Sequence, residues 1–310
     1  LYVVDQIGFS RLWRLLAYTL LLTIAASALV AILVPSIGVD PDHPTAWRGL
    51  FIQKNNLGRV CALSAVLWLG LPIAEQRKWL RLFALVTVSV VGVKSDSMTA
   101  LFITAMLCLI YFLIKILKFN ALLGSASVAF AIALVPLFYT TLLREDTLFR
   151  LSNRAPDLTG RTEIWNAVLD AITHRPLLGY GYSVFWGSPY STSGSFSSIT
   201  GGSAVHSHNG FLDVLLDLGI VGLAALSLAL LQILRGTIQC YQRADSPYSS
   251  IPILIVIFLL VYNFTESSLL LRNSLYWILL VAVASYTTTA SSRSHLRATL
   301  RHPRRFPVSG

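Results

Sequence analysis

HSHNGFLDVLLDLGIVGLAALSLALLQIL, residues 206–234, carries two messages in one stretch. Between residues 210 and 234 only Asp213, Asp217, Ser227 and Gln232 interrupt an apolar run. A helix rises about 1.5 Å per residue and the hydrocarbon core of a bilayer is about 30 Å thick, so roughly 20 such residues cross it. The run is long enough to span. Just before it stand His206, Ser207, His208 and Asn209, polar side chains at the mouth of the span. The stretch reads as part of an integral membrane protein whose chemistry is to be sought at one face.

Apolar runs of the same kind recur at 13–35, 57–74, 79–93, 98–117, 121–143, 251–264 and 274–286. Together they predict an all-α, polytopic transmembrane helix bundle of about eight spans, with one long external loop containing an amphipathic helix. Composition agrees: 55% of residues are hydrophobic and only 12% charged, about half the charged share of a soluble chain. The net charge of +10 comes mostly from short segments between apolar runs and from the tail, including Arg293, Arg297, Arg301, Arg304 and Arg305. That is the positive-inside pattern of a membrane protein, and it argues against a nucleic-acid partner. Cys61, Cys108 and Cys240 fall in or beside apolar runs and give neither a disulfide framework nor metal-ligand spacing. The chain opens at Leu1 without a signal-peptide pattern and reads as a fragment lacking earlier spans.

One orientation satisfies every short connection. With the N-terminus cytoplasmic, the inside segments carry Arg11 and Arg14; Arg77, Lys78 and Arg81; Lys115 and Lys118; and Arg235 and Arg243. Segments 36–56 and 144–209 then share the external face. The expected organisation is 1–143 as N-terminal transmembrane helices, 144–209 as an external (periplasmic) loop, 210–290 as C-terminal transmembrane helices and 291–310 as a basic cytoplasmic tail. A connection as long as 144–209 is usually functional or disordered. Within it Ile164, Ala167, Val168, Ala171 and Ile172 recur at helical spacing, with Thr159 or Gly160 as a cap and Pro176 as a stop. This predicts an amphipathic helix on the membrane or against the bundle. PLLGYGYSVFWG follows at 176–187, and the Ser/Thr/Gly-rich stretch 188–203 suits a mobile flap.

The outer face offers three polar features. WRGLFIQKNNLG, residues 47–58, brings Arg48, Lys54 and Asn55 to the start of a span. GRTEIW, residues 160–165, puts Arg161 at the start of the amphipathic helix, and His208 and Asn209 precede the span at 210. A guanidinium donates two parallel hydrogen bonds to a phosphate and stays charged. Histidine is the side chain best suited to take a proton near neutral pH. Two arginines and a histidine on one outer pocket would suit displacement of a lipid diphosphate by a hydroxyl.

Each residue also has a plainer reading. A lone external arginine commonly anchors a lipid headgroup, and a histidine at a helix start commonly caps it. Arg161 at a helix N-terminus is mildly unfavourable for the dipole, which hints at another duty. The GYG at 179–181 lacks the strand and helix of a nucleotide fingerprint. Gly219 and Gly222 suit close helix packing. Asp213 and Asp217 are costly in a membrane and so are functional candidates. On a helix starting at His208 they would lie about 140° and 180° round from it, free to pair elsewhere in the bundle.

In this order and on these loops the motifs resemble the O-antigen ligase and polysaccharide polymerase family, bacterial membrane glycosyltransferases that include exopolysaccharide polymerisation proteins. The resemblance covers roughly residues 45–277. It rests on GRTEIW followed by RPLLGYGYSVF, on the HN pair with Gly219 and Gly222, and on KNNLG with SDSMTAL (95–101) and NFTES (263–267). It implies an undecaprenyl-diphosphate-linked oligosaccharide as substrate, transferred at the periplasmic face of the bacterial inner membrane. Membrane lipids and other polysaccharide-assembly proteins are candidate partners, and no cofactor is implied. The family's external arginines would fall on Arg48 and Arg161, and its loop histidine on His208. Asn209, Lys54 and Asn55 are the candidate substrate-binding residues beside these catalytic ones.

The expected activity is thus a metal-independent glycosyltransferase that polymerises or ligates such glycans. His208, rather than His206, would serve as base because it sits at a helix end and not in the flap. A metal-free mechanism is the expectation, though Asp157 and Glu163 keep a metal open. The rivals are a transporter or flippase of lipid-linked glycans and a non-catalytic polysaccharide-assembly subunit. A transporter should show ionisable groups or broken helices near mid-membrane.

Overall fold

The computed structural model describes residues 6–72, 77–117, 159–186, 206–243 and 246–301, with side chains to residue 115 in the helix ending at 117, from residue 164 onward in the helix beginning at 159, and to residue 288 in the last helix. The described residues form helices and no strand; one isolated bridge pairs Val39 with Trp47. In chain order the helices are α1 (Phe9–Leu33), α2 (Pro35–Gly38), α3 (Lys54–Gly70), α4 (Lys78–Lys94), α5 (Met98–Leu117), α6 (Thr159–His174), α7 (Gly210–Arg243), α8 (Ser250–Tyr262) and α9 (Leu275–Arg301). Seven of the eight expected spans coincide with helices, while 121–143 lies outside the described residues. Among the described helices, Phe9–Leu33, Met98–Lys115 and Gly210–Arg243 are long and apolar enough to cross a membrane unaided. Ser250–Tyr262 and Leu275–Thr288 are shorter apolar helices.

The short α8 is short for a physical reason. It sits at the centre of the bundle, packed by α3, α5, α7 and α9. Every side chain from Ser250 to Leu259 is buried. A helix wrapped by protein need not match the bilayer thickness, and its unbroken apolar run SIPILIVIFLLVY has no polar face to show. Helix α3 is its neighbour in the core, buried on most sides from Leu57 to Trp68. At the far end of α3 the Arg81 guanidinium donates to the carbonyls of Leu69 (3.0 Å) and Leu71 (3.2 Å). Carbonyls left free at a helix C-terminus favour such a cation.

Helix α7 is not the single continuous span read from the sequence. At Gly219 the backbone takes φ 65° and ψ −169° and the helix breaks. A break frees backbone groups that lipid cannot satisfy, at several kcal/mol each. Segment 176–181 supplies them. The N–H groups of Ile220 and Val221 donate to the carbonyls of Pro176 (2.8 Å) and Leu177 (3.2 Å). The carbonyls of Leu216 and Asp217 accept from Tyr180 (3.0 Å) and Gly181 (2.9 Å). The approach is so close that a Cβ on Gly219 would stand 2.2 Å from the Leu177 oxygen. Gly219 does serve close packing, but against a crossing strap and not another helix. At about 1.5 Å per residue the break lies about 14 Å into α7.

The amphipathic helix expected around Ile164–Ile172 is α6, and it lies against the bundle. Val168 and Ile172 are buried with Leu216 of α7 and with Phe185, which follows the strap, and Ile164, Ala167 and Ala171 pack around them. Helix α9 runs on to Arg301, past the expected boundary at 290. The expected flap at 188–203 lies outside the described residues.

Candidate active site

Asn209 starts the site by ending a loop. Its side-chain oxygen accepts from the backbone N–H of Phe211 (3.0 Å) and Leu212 (3.2 Å), the second and third residues of α7. This is an N-cap, and caps of this kind contribute about 1 kcal/mol. The expected substrate-binding role of Asn209 therefore shares its oxygen with a structural duty. The helix begins at Gly210, so His208 lies before it, with a left-handed φ of 56°. The helical-wheel angles to the two aspartates do not apply.

The loop that carries His208 is held from several sides. Ser207 is buried; its hydroxyl donates to the Asn209 carbonyl (2.8 Å) and accepts the Asn209 N–H (3.1 Å). The Trp165 indole N–H of α6 donates to the Ser207 carbonyl at 2.8 Å. Nδ1 of His206 accepts the His208 N–H at 3.2 Å, and the two imidazoles meet edge to face at 4.1 Å. His206 therefore shapes the backbone under His208 and is not merely the end of the stretch before it.

Opposite His208 stands Glu266. Its Oε2 lies 3.4 Å from His208 Nδ1, with the side chains 28% (His208) and 15% (Glu266) exposed. A carboxylate there favours the proton on Nδ1, leaving the Nε2 lone pair able to accept a hydrogen bond or a proton. Asn263 sets this geometry one turn earlier. Its fully buried Oδ1 accepts from Ser268 N–H (2.9 Å), Ser268 O–H (3.1 Å) and Leu269 N–H (3.1 Å), folding 263–269 into a compact turn. Its backbone carbonyl accepts the Gly210 N–H at 2.8 Å, fastening the turn to the start of α7. NFTES is legible as a motif, but the contact of Glu266 with His208 is not. A glutamate after a span carries no mark of the histidine 58 residues earlier that it will face.

The other expected residues divide. GRTEIW and HN converge, because Trp165 reaches Ser207. Arg161 stands one helical turn before Trp165 on α6; its side chain lies outside those described. Arg48 is occupied within its own loop, where Nε donates to the Ile37 carbonyl (2.9 Å) and Nη1 to that of Ile52 (3.4 Å). That loop docks on the end of α4, with the Trp47 N–H on the Lys94 carbonyl at 2.8 Å. Lys54 is buried, and its backbone N–H donates to Asp40 Oδ2 at 3.3 Å, which caps α3. Asn55 is half-buried beside it.

Arg59 was missed. Its guanidinium lies 4.3 Å over the Tyr276 ring and 5.6 Å from the Tyr262 ring, and donates to Asn56 Oδ1 at 3.2 Å. A cation in a largely buried apolar helix is costly, and the two ring faces offset part of that cost. Among the described residues no group of three His, Cys, Asp or Glu side chains is placed to hold a metal.

Residues 81–227 match the O-antigen ligase family. The matched family is the one that the motifs resemble. The chain is also 27% identical to the exopolysaccharide production protein ExoQ of Rhizobium meliloti (strain 1021), over 274 residues that cover 80% of this chain and 60% of the relative. The chain thus spans less than two thirds of that relative's length. The matched segment contains Arg161, His208, Asn209 and Asp213, together with the strap at 176–181. Arg48, Lys54, Asn55, Arg59 and Glu266 lie outside it. The His208–Glu266 contact therefore joins the matched segment to the turn after α8.

Proposed function

We propose that this membrane protein is a glycosyltransferase that polymerises or ligates undecaprenyl-diphosphate-linked glycans at the periplasmic face of the bacterial inner membrane, without a nucleotide sugar or a metal. The observation that carries the reading is the His208–Glu266 pair at the start of α7. A base oriented by a carboxylate and partly exposed at the mouth of a span suits activation of a hydroxyl. The acceptor oxygen bonds to the anomeric carbon of the donor sugar as the carbon–oxygen bond to the diphosphate breaks. The diphosphate leaves with that electron pair, and the hydroxyl proton passes to His208 Nε2. Arg161 and Arg48 would neutralise the leaving diphosphate, with Lys54, Asn55 and Asn209 contacting the saccharide or its phosphates.

The proposed topology has about eight spans within 1–143 and 210–290, an external 144–209 and a cytoplasmic 291–310. Cysteines placed at Ser195 and Arg297 test it with an impermeant thiol reagent on intact cells. Labelling at 297 but not 195 would invert the orientation and remove the site from the periplasm.

The broken α7 favours one rival, because transporters commonly interrupt helices at their binding sites. Here the freed groups at Gly219 are taken up by the chain's own strap, so the break is filled instead of lining a cavity. The deciding experiment incubates purified full-length protein with a lipid-diphosphate glycan, with and without exhaustive chelation. A ladder of longer glycans means polymerase, and one block moved to a different acceptor means ligase. Movement of intact lipid across a vesicle membrane without glycan transfer would mean transporter. Loss of transfer on chelation, restored by magnesium or manganese, would refute the metal-free account.

A further inference from the structure

We propose that Asp213 is the positioning residue that fixes the distance between His208 and Glu266. The inference rests on the reading of His208 and Glu266 as the reacting pair. Asp213 is half-buried in the first turn of α7. Its carboxylate accepts from three separate segments. Oδ1 takes the backbone N–H of Ser207 (3.0 Å) and the indole N–H of Trp186 (3.2 Å), and Oδ2 takes the hydroxyl of Ser267. Ser207 directly precedes His208, and Ser267 directly follows Glu266. One side chain therefore holds both segments of the pair, and Trp186 ties the stretch after the strap to the same point.

A carboxylate offers about four lone-pair positions and no donor, so it suits three converging donors. Bonds to a charged acceptor are roughly twice as strong as neutral ones. An aspartate in a first helical turn also complements the dipole, but that role contributes to folding and not to turnover. The glutamate–histidine contact is long at 3.4 Å, so the pair depends on what stands behind it. An error of about 1 Å at a reacting group costs about 10²-fold in rate.

The experiment uses full-length protein in native membrane vesicles, with lipid-diphosphate glycan as substrate and insertion matched by quantitative immunoblot. Asp213→Ala should lower kcat about 100-fold and Asp213→Asn about 10-fold, with KM for the glycan lipid within about 2-fold of the parent. Ser267→Ala and Trp186→Phe each remove one tie without touching the carboxylate, and each should cost a few-fold. Adding Ser267→Ala to Asp213→Ala should cost nothing more, since the tie is already gone.

A second readout needs no transfer at all. His208→Cys is labelled with an impermeant maleimide, and adding Asp213→Asn should change the labelling rate at least several-fold as the loop is released. Parental kcat in inserted Asp213→Ala, or losses that multiply in the double variant, would overturn the proposal. So would an unchanged labelling rate. If instead His208→Ala itself keeps the parental rate while Asp213→Asn alters labelling, the clamp stands and the function assigned to the pair falls.

Discussion

Glu266→Gln isolates the charge of the carboxylate facing His208 while keeping its shape. The contact is 3.4 Å between Oε2 and Nδ1, with exposures of 28% for the histidine and 15% for the glutamate. When His208 takes the acceptor proton it becomes a cation beside that carboxylate. Opposite unit charges about 4 Å apart attract by about 1 kcal/mol in water and by about 4 kcal/mol at an effective dielectric of about 20. The partial burial places this pair between those limits, nearer the second. Each 1.36 kcal/mol of lost transition-state stabilisation costs tenfold. Glu266→Gln should therefore lower kcat by about 5-fold to about 10³-fold. A glutamine also presents an amide N–H₂ that can donate to Nδ1 and favour the wrong tautomer, which pushes toward the larger loss. The substrate's phosphates do not touch Glu266 in this account, so KM should change little. Initial rates at saturating lipid-diphosphate glycan, in vesicles matched for inserted protein, give the answer. A Glu266→Gln variant that turns over at the parental rate would show that this carboxylate neither orients nor stabilises the base.

His208→Ala should lose transfer by about 10²–10⁴-fold, while His206→Ala should lose several-fold because it frees the His208 N–H; equal activity of both variants with the parent would dismiss the histidine pair. Arg161→Lys keeps charge but not the fork, so glycan synthesis should fall severely at normal insertion, and near-normal synthesis would reduce Arg161 to a headgroup anchor. Gly219→Ala forces a Cβ to within 2.2 Å of the Leu177 oxygen at a backbone geometry all but reserved for glycine. The strain alone costs about 1–3 kcal/mol, so the thermal midpoint in detergent should drop by several degrees, and an unchanged midpoint would mean that the strap does not hold the break.

Hydropathy and charge placement suffice to read this chain as a bundle of apolar helices, because lipid rejects unpaired backbone and so forces helices of readable length. The 3.6-residue period of Ile164, Val168 and Ile172 likewise marked α6 and the face it buries. GRTEIW and HN were visible as motifs, since a local pattern survives in one dimension. What no local pattern holds is which distant segments meet. Trp165 on Ser207, Glu266 on His208 and Asp213 on Ser207, Trp186 and Ser267 are contacts across 42, 58, 6, 27 and 54 residues. Most of them exist only because α6, α7 and α8 pack side by side. The break at Gly219 was hidden for the same reason. The run 210–234 is apolar enough for an unbroken span, and it can afford to open there only because the strap at 176–181 arrives with two carbonyls and two N–H groups to fill the gap.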